Sequence, residues 1–533
     1  MLSYDQVKRR VSELSGLVTW KHHMCVNSCV GFTGPFADLE ECPHPRCHQP
    51  RYDQDELRKS NGKRKTQDEL NRNEDADYLY DDIFCGLDYL EAVENGQVND
   101  YDTVVMLSID GAQLYRNKKS NCWIYIWIIL DLAPDQRYKI RNILPGGVIP
   151  GPGKPKNLDS FLFPGLAHVS ALQKEGLRIW DGYNLIAAIS LLFLLLALAD
   201  TVAMAELSGS VGHHGKKGCR LLCELVGRNK PGGSHYYPAL LRPLGIHNPS
   251  CDHPDIDIEN LPSVDTTKYR QNLNNTGIKK ASIFDGLPRI LELPTCFPGD
   301  IMHQPVINLT ALMFDLFCDC EGCRKGDPRG VWDWAILKGD VWVTHGKAVA
   351  DAASYFPRSF DLVGIRIIYQ RWISRQQLEL AHKLLLEWVL EFELLYYQRK
   401  IERLHFVRQC VHSLTHLAPE THRLGPPSLS AQWTMEHVIG IFGSLIKQPL
   451  NPFANLTEQA KKVAEINAIV AMWPDLERPK EDPHGCIDMG QGYLLLGPKD
   501  EKPYRLSSAE EDALVAFYSS LPEAELVPQR SVY

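Results

Sequence analysis

Thr103-Val104-Val105-Met106-Leu107-Ser108-Ile109-Asp110-Gly111 is the stretch on which the fold turns. From Thr103 to Ile109 it is apolar and β-branched, which predicts a short strand, and it ends on one acid followed at once by glycine. A second strand is expected over Trp123–Leu130, with Asp131-Leu132-Ala133-Pro134 as the turn behind it. An acid at the tip of a buried strand, beside further strands, is one way to present a carboxylate to a divalent metal. The other reading of Asp110-Gly111 is a turn closing a hairpin, the usual role of Asp-Gly.

Working outward, residues 103–143 read as several strands, and Leu144–Gly153, rich in Pro and Gly, as a stiff connection. Leu158–Glu175 has a helical pattern. Leu185–Ala199 is one apolar element ending on Asp200. At about fifteen residues it falls short of the roughly 20 that a membrane span needs, so it is expected to be buried in the protein. Strands followed by helix and strand predict an α/β (α+β) core.

Length and composition bound the rest. A chain of 533 residues exceeds one core and suggests about three or four domains. It is 44% apolar and 23% charged, ordinary for a globular protein, with a net charge of −9. Ten acids and no Lys or Arg lie between Glu74 and Asp102, so the remainder is nearly neutral and compatible with a nucleic-acid partner. Aromatic residues in that stretch (Tyr78, Tyr80, Phe84, Tyr89) predict packing. Fifteen cysteines, with no leader-like pattern at Met1–Asp5, read as reduced thiols or metal ligands. Arg58–Lys65 is basic and reads as a nuclear address, a phosphate contact or a solvated linker.

Several Cys and His groups have metal-ligand spacing. Cys25-x3-Cys29 and Cys42-x4-Cys47 fit a small zinc module, against four unrelated thiols. Cys219-x3-Cys223 follows His213, His214, Lys216 and Lys217. Cys318, Cys320 and Cys323 lack an obvious fourth ligand. Arg375–Leu417 holds no Gly or Pro and reads as one long helix or two abutting ones, carrying His412 and His416 on one face. Helices are also expected over Ala431–Lys447, which carries Glu436, Thr457–Met472 and Ser508–Leu521, with loop over Pro231–Asp265.

The order of these features resembles a fungal CACTA-type (En/Spm) transposase of the Plavaka group. The residues that carry the resemblance are Leu107-Ser108-Ile109-Asp110-Gly111-Ala112-Gln113-Leu114-Tyr115, Gly151-Pro152-Gly153-Lys154-Pro155-Lys156-Asn157-Leu158-Asp159 and Val211-Gly212-His213-His214-Gly215-Lys216-Lys217-Gly218-Cys219. Asp300-Ile301-Met302-His303, Leu394–Lys400 and Gln432-Trp433-Thr434-Met435-Glu436 complete the set, which spans roughly residues 20–500. The resemblance implies an RNase H-like catalytic core interrupted by a large helical insertion. It implies an Asp-Asp-Glu triad at Asp110, Asp200 and Glu436. By likeness to the V(D)J recombinase catalytic subunit, it also implies a zinc site of Cys219, Cys223, His412 and His416. The implied partners are double-stranded DNA, as transposon ends and target, and a second copy in a homodimer, in the nucleus and with no membrane. Three carboxylates suit Mg²⁺ (or Mn²⁺), while Cys and His suit Zn²⁺.

The expected organisation is a zinc-binding module at 1–57, a linker and acidic segment at 58–102, and the first part of the core at 103–230. A loop-rich and helical insertion follows at 231–425, core-completing helices with the third acid at 426–475, and a C-terminal tail at 476–533. Between Lys65 and Asp81, and between Phe360 and Gly364, the chain is shorter than the family pattern, which bears on DNA binding and hence on activity. Two alternatives stand beside the transposase: an inactive zinc-containing DNA-binding or interaction protein that keeps the fold, and an unrelated metal-dependent hydrolase with His303 among its ligands.

Overall fold

The computed structural model describes residues 40, 41, 48, 78–115, 120–150, 155, 158–181, 184–221, 223, 225–245, 247–249, 252–261, 277–320, 327, 328, 330–352, 363–446, 451–473, 476, 487–490 and 493–495. Cys25, Cys29, Cys42, Cys47, Cys323, the basic cluster at 58–65 and the helix expected at 508–521 lie outside them. The chain divides into one compact unit ending at Met472 and a second over Trp473–Tyr533.

The first unit is mixed α/β. Its elements begin with β1 (Leu79–Tyr80), α1 (Leu87–Glu94), β2 (Thr103–Gln113), β3 (Asn121–Ile129) and β4 (Ile143–Pro150). They continue with α2 (Leu158–Glu175), β5 (Leu177–Asp181), β6 (Ile186–Ser190), β7 (Leu192–Ala199) and α3 (Thr201–Ser208). Next are β8 (Arg228–Asn229), β9 (Tyr236–Tyr237), a π-helix at Met302–Leu309, α4 (Thr310–Phe317), α5 (Asp340–Ala352) and α6 (Val363–Ile368). The last are β10 (Ile373–Ser374), α7 (Arg375–Phe392), α8 (Gln409–His412), α9 (Leu414–Leu424), α10 (Trp433–Leu445) and α11 (Pro452–Met472). In the second unit Ile487–Gly490 pairs antiparallel with Tyr493–Leu495.

A four-stranded mixed sheet in the order β4-β3-β2-β7 is the scaffold. β2, β3 and β4 form an antiparallel meander, and β7 returns parallel to β2. Phe193 to Ala199 are at most 2% exposed, the continuous apolar run expected of a parallel strand covered on both faces. Beyond β7, Leu194 makes a parallel bridge to Ile290. One apolar core joins this sheet to α2, α3, α10 and α11; a second gathers α4, α6, α7, α9 and the segment around Cys219–Leu241.

Four local expectations are corrected. Asp110-Gly111 is not a turn: β2 runs on to Gln113, pairing Asp110 with Ile124 and Gly111 with Trp123. Leu144–Pro150 is not a connection but most of β4. A side chain at Gly146 or Gly147 would overlap the Tyr125 ring, so these glycines form the groove in which that ring lies. Leu185–Ala199 is two strands. The largely exposed half, β6, forms a hairpin with β5, and the buried half, β7, enters the main sheet. The Arg375–Leu417 helix breaks after Tyr397, where Gln398 and Arg399 take left-handed backbone angles (φ 53° and 55°). The side chains hold that break: Arg403 Nη1 donates to Gln398 Oε1 (2.6 Å), and Arg399 Nε donates to the Arg242 carbonyl (2.8 Å).

Arg137, 1% exposed, ties the β3–β4 connection to the acidic segment. Its guanidinium is bidentate to Asp82 (2.8 and 3.0 Å) and donates to the Leu132 carbonyl (2.8 Å). Arg137→Met strands the Asp82 carboxylate and is expected to cost about 3 kcal/mol, the lower end for a broken buried pair, since Asp82 keeps some contact with water. Urea melts of the two proteins check this.

Candidate metal centres

The first centre lies where the parallel pairing of β2 with β7 ends. Ile109 is in register with Ala199, so Asp110 and Asp200 are the next residues on neighbouring strands. Strand carboxyl ends beside a crossover are where open α/β sheets place ligands. Asp110 is 7% exposed, and Gly111 N–H donates to its Oδ1 (2.6 Å). Asp200 caps α3, its Oδ1 accepting from Ala203 N–H (2.6 Å). Both line one cleft with Gln113, Asn121 and Trp123.

A buried glutamine brings up the third acid. Gln432 Nε2 donates to the Ile109 carbonyl (3.0 Å), pinning the start of α10 to the strand that carries Asp110. Gln432 N–H donates to Asp300 Oδ1 (3.3 Å). Glu436 sits one turn further on, its N–H bonded to the Gln432 carbonyl (3.0 Å). Asp300, 2% exposed, also accepts from the Met302 and His303 amides and is paired with His303 Nδ1. With Nδ1 so engaged, Nε2 is the ring atom left to face a ligand, an arrangement common behind metal-bound histidines. Ligand atoms of Asp110, His303 and Glu436 lie within 4.8 Å of one another. Asp200 is outside that set, though it shares the cleft with Asp110 and a second cavity with His303.

The electrostatics fit a site that attracts cations. Burial, then the charge of Asp200 and, more weakly, that of Glu436, raise the Asp110 carboxyl to about 7. Burial alone would lower the His303 pKa, but its pairing with Asp300 and the charges of Asp110 and Asp200 raise it. Such a site favours a divalent ion. The imidazole in the donor set suits Mn²⁺ or Zn²⁺ better than Mg²⁺, which prefers oxygen ligands throughout.

A pH dependence follows. The folded pKa of Asp110 lies above its ordinary value of 3.8, so its contribution to stability is complete below about pH 4 and is lost as pH rises towards 7. The divalent ion requires the ionised carboxylate. Thermal melts with and without added Mn²⁺ should therefore differ little at pH 5 and progressively more through pH 7 and above.

The second centre lies in the second core, where it links the Cys219–Leu241 segment to α8 and α9. Cys219 and Cys223 meet His412 and His416, all four ligand atoms lying within 4.8 Å. Cys219 Sγ is 3.5 Å from His416 Nε2, Cys223 Sγ 3.2 Å from His412 Nε2, and the two Nε2 atoms are 3.0 Å apart. Tetrahedral zinc with ordinary bond lengths would set such edges at about 3.3–3.6 Å. The histidines sit on α8 and α9, not on one continuous helix. Ser413 between them keeps helical angles (φ −59°, ψ −22°), so both rings still face the same way. A hydrogen bond with Cys223 holds the Cys219 thiol well below its usual range, burial opposing, and burial keeps His412 neutral. His412 Nδ1 is buried with no hydrogen-bond partner. Four soft or borderline donors converging at these distances suit one tetrahedral cation. This buried cluster can hold a metal ion such as zinc.

His303, named above as a ligand in the hydrolase alternative, stands in the donor set, whereas nothing in the Gln432–Glu436 motif signals the role of Gln432. Cys318 and Cys320 are partly exposed free thiols. Among the described residues no helix is long and apolar enough to cross a membrane. Set against known proteins, the chain matches no family model and no curated sequence.

Proposed function

We propose that the chain is a DDE-type DNA transposase, or a protein derived from one, with an RNase H-like core. The observation that carries this reading is the convergence of acids from distant segments. Asp110 lies in β2 just past the end of its parallel pairing with β7, Asp200 directly follows β7, and Glu436 arrives on a helix pinned to the Ile109 carbonyl. The antiparallel meander followed by a helix and a parallel strand supports the fold assignment. The motifs quoted above support the family. Double-stranded DNA, a homodimer and the nucleus belong to the same proposal.

Asp110 and Glu436 would hold Mg²⁺ or Mn²⁺, with Asp200 beside them and His303 oriented by Asp300. Bound there, the ions would supply water activation and neutralise charge at the phosphorus. The side chains keep the site anionic and fixed until substrate enters, and the buried Asp300–Gln432 pair keeps the helix bearing Glu436 from drifting. In end cleavage water attacks phosphorus and the bond to the 3′ oxygen breaks, leaving a 3′-hydroxyl. In strand transfer that hydroxyl attacks a target phosphodiester and displaces the target's own 3′ oxygen.

His303 within the ligand set favours one second reading, a metal-dependent hydrolase with mixed donors. Nicking of supercoiled plasmid by the full-length protein separates the two. Activity with Mg²⁺ or Mn²⁺ supports the transposase. Activity with Zn²⁺ alone supports the hydrolase. No nicking with any of the three supports the inactive zinc-containing protein.

A further inference from the structure

Asp300, His303 and Gln304 stand at i, i+3 and i+4, on one face of a helical turn. That turn opens the π-helix at Met302–Leu309. Gln304 N–H donates to the Asp300 carbonyl (3.1 Å), and Val306 N–H reaches back five residues to the Ile301 carbonyl (3.4 Å). Pro305, between them, has no N–H to add to the ladder. Short π segments of this kind are frequent at functional sites. Gln304 is 3% exposed and lines, with Asp200, Thr201 and His303, the second cavity, of about 400 Å³. Its Nε2 donates to Thr201 Oγ1, on the residue that follows Asp200, so the amide is held beside that acid. Its Oε1 is buried and has no hydrogen-bond partner within the protein. Buried polar atoms are nearly always satisfied, and a polar cavity of this size admits water.

We propose that Gln304 is a catalytic residue whose Oε1 accepts a hydrogen bond from the attacking water and so fixes that water for cleavage of the phosphodiester. The inference rests on the proposed DNA cleavage and deepens it. Water has two O–H donors. One is taken by Gln304 Oε1, and the other faces Asp200, whose carboxylate lines the same cavity. In the step, the water oxygen bonds to phosphorus and gives one proton to that carboxylate. The bond from phosphorus to the 3′ oxygen breaks, and the departing oxygen takes a proton from solvent. A carboxamide stays neutral and does not compete for the proton, so it orients the nucleophile without consuming it. An amide side chain orients attacking water in other phosphoryl-transfer sites. The anchor on Thr201 keeps the amide from turning away, and burial leaves its oxygen no competing donor.

The test uses full-length protein, Mn²⁺ and supercoiled plasmid. Gln304→Met keeps the volume and removes the acceptor. It is expected to lower kcat for nicking about 10²-fold, the cost of misplacing a reacting group by about 1 Å, with KM for plasmid and the Kd for Mn²⁺ unchanged. Gln304→Glu, which still accepts a hydrogen bond, is expected to recover at least about tenfold of that loss. Wild-type kcat in Gln304→Met, or equal loss in both variants with Mn²⁺ binding intact, overturns the role. Mn²⁺ binding weakened as much as the rate also overturns it, since Gln304 then supports the metal and not the water. A crystal structure of the metal-free protein tests the hydrogen bond without turnover. An ordered water is expected within about 3.2 Å of Gln304 Oε1, bonded also to Asp200 or His303, and gone in Gln304→Met. No such water in the wild type overturns the proposal. That water in a protein that nicks no DNA would leave the hydrogen bond standing and remove the transposase reading; nicking indifferent to Gln304→Met would do the reverse.

Discussion

Asp110→Asn is expected to abolish divalent-dependent DNA nicking while leaving the protein folded. The substitution keeps size and shape and removes the charge that a metal needs. Losing several kcal/mol of transition-state stabilisation corresponds to a rate at least about 10³-fold lower. The same change relieves strain. Asp110 is buried beside Asp200 and Glu436, and its carboxyl is raised to about 7, so above that pH its ionised form is disfavoured in the folded state. Metal-free Asp110→Asn should therefore melt at or above the wild-type temperature at pH 8, with the difference vanishing below about pH 4, where the wild-type carboxyl is protonated in both states. Plasmid nicking and thermal melts of the same preparations check both halves. Retained nicking removes Asp110 as a metal ligand, and a large drop in melting temperature makes its role structural.

Cys219→Ser is expected to lower zinc content by one ion per chain and to destabilise the fold together. Cys219 and Cys223 come from the segment after the sheet, and His412 and His416 from the end of the insertion, so a metal there cross-links distant parts of the chain. Structural zinc supplies binding free energy that is also folding free energy. Several kcal/mol lost from a unit of this size corresponds to a fall of about 3–6 °C in Tm. Metal analysis and calorimetry on one sample check the coupling. Zinc stoichiometry equal to that of the wild type would remove this site.

What the residues reveal on their own is mostly local. β2 and β3 were legible because apolar, β-branched runs have one common use, and α2 because its apolar spacing runs unbroken from Leu158 to Glu175. β4 was hidden, since Pro145, Gly146 and Gly147 read locally as a turn, and only the Tyr125 ring from the neighbouring strand explains them. The break at Gln398 was hidden for the opposite reason. Neither residue there is a helix breaker, and the left-handed angles are held by Arg403 and by the distant Arg242 carbonyl. In the first centre the strand-end acids could be suspected from sequence. The role of Gln432 could not, because it depends on Asp300 and the Ile109 carbonyl, far away in the chain, and His303 was legible only as a candidate ligand, its orienting partner Asp300 lying three residues before it. In the second centre the Cys-x3-Cys and His-x3-His spacings were legible, but nothing local says that they face each other.

The central claim is that Asp110 and Glu436, with Asp200 beside them, hold hard divalent ions. Soaking crystals of the full-length protein in Mn²⁺ and recording anomalous diffraction tests it most directly. The account predicts a strong peak between Asp110 and Glu436 in the wild type that is absent in Asp110→Asn, with the Cys219–His416 cluster unchanged in both. No peak at the carboxylates, or one that persists in Asp110→Asn, would contradict it.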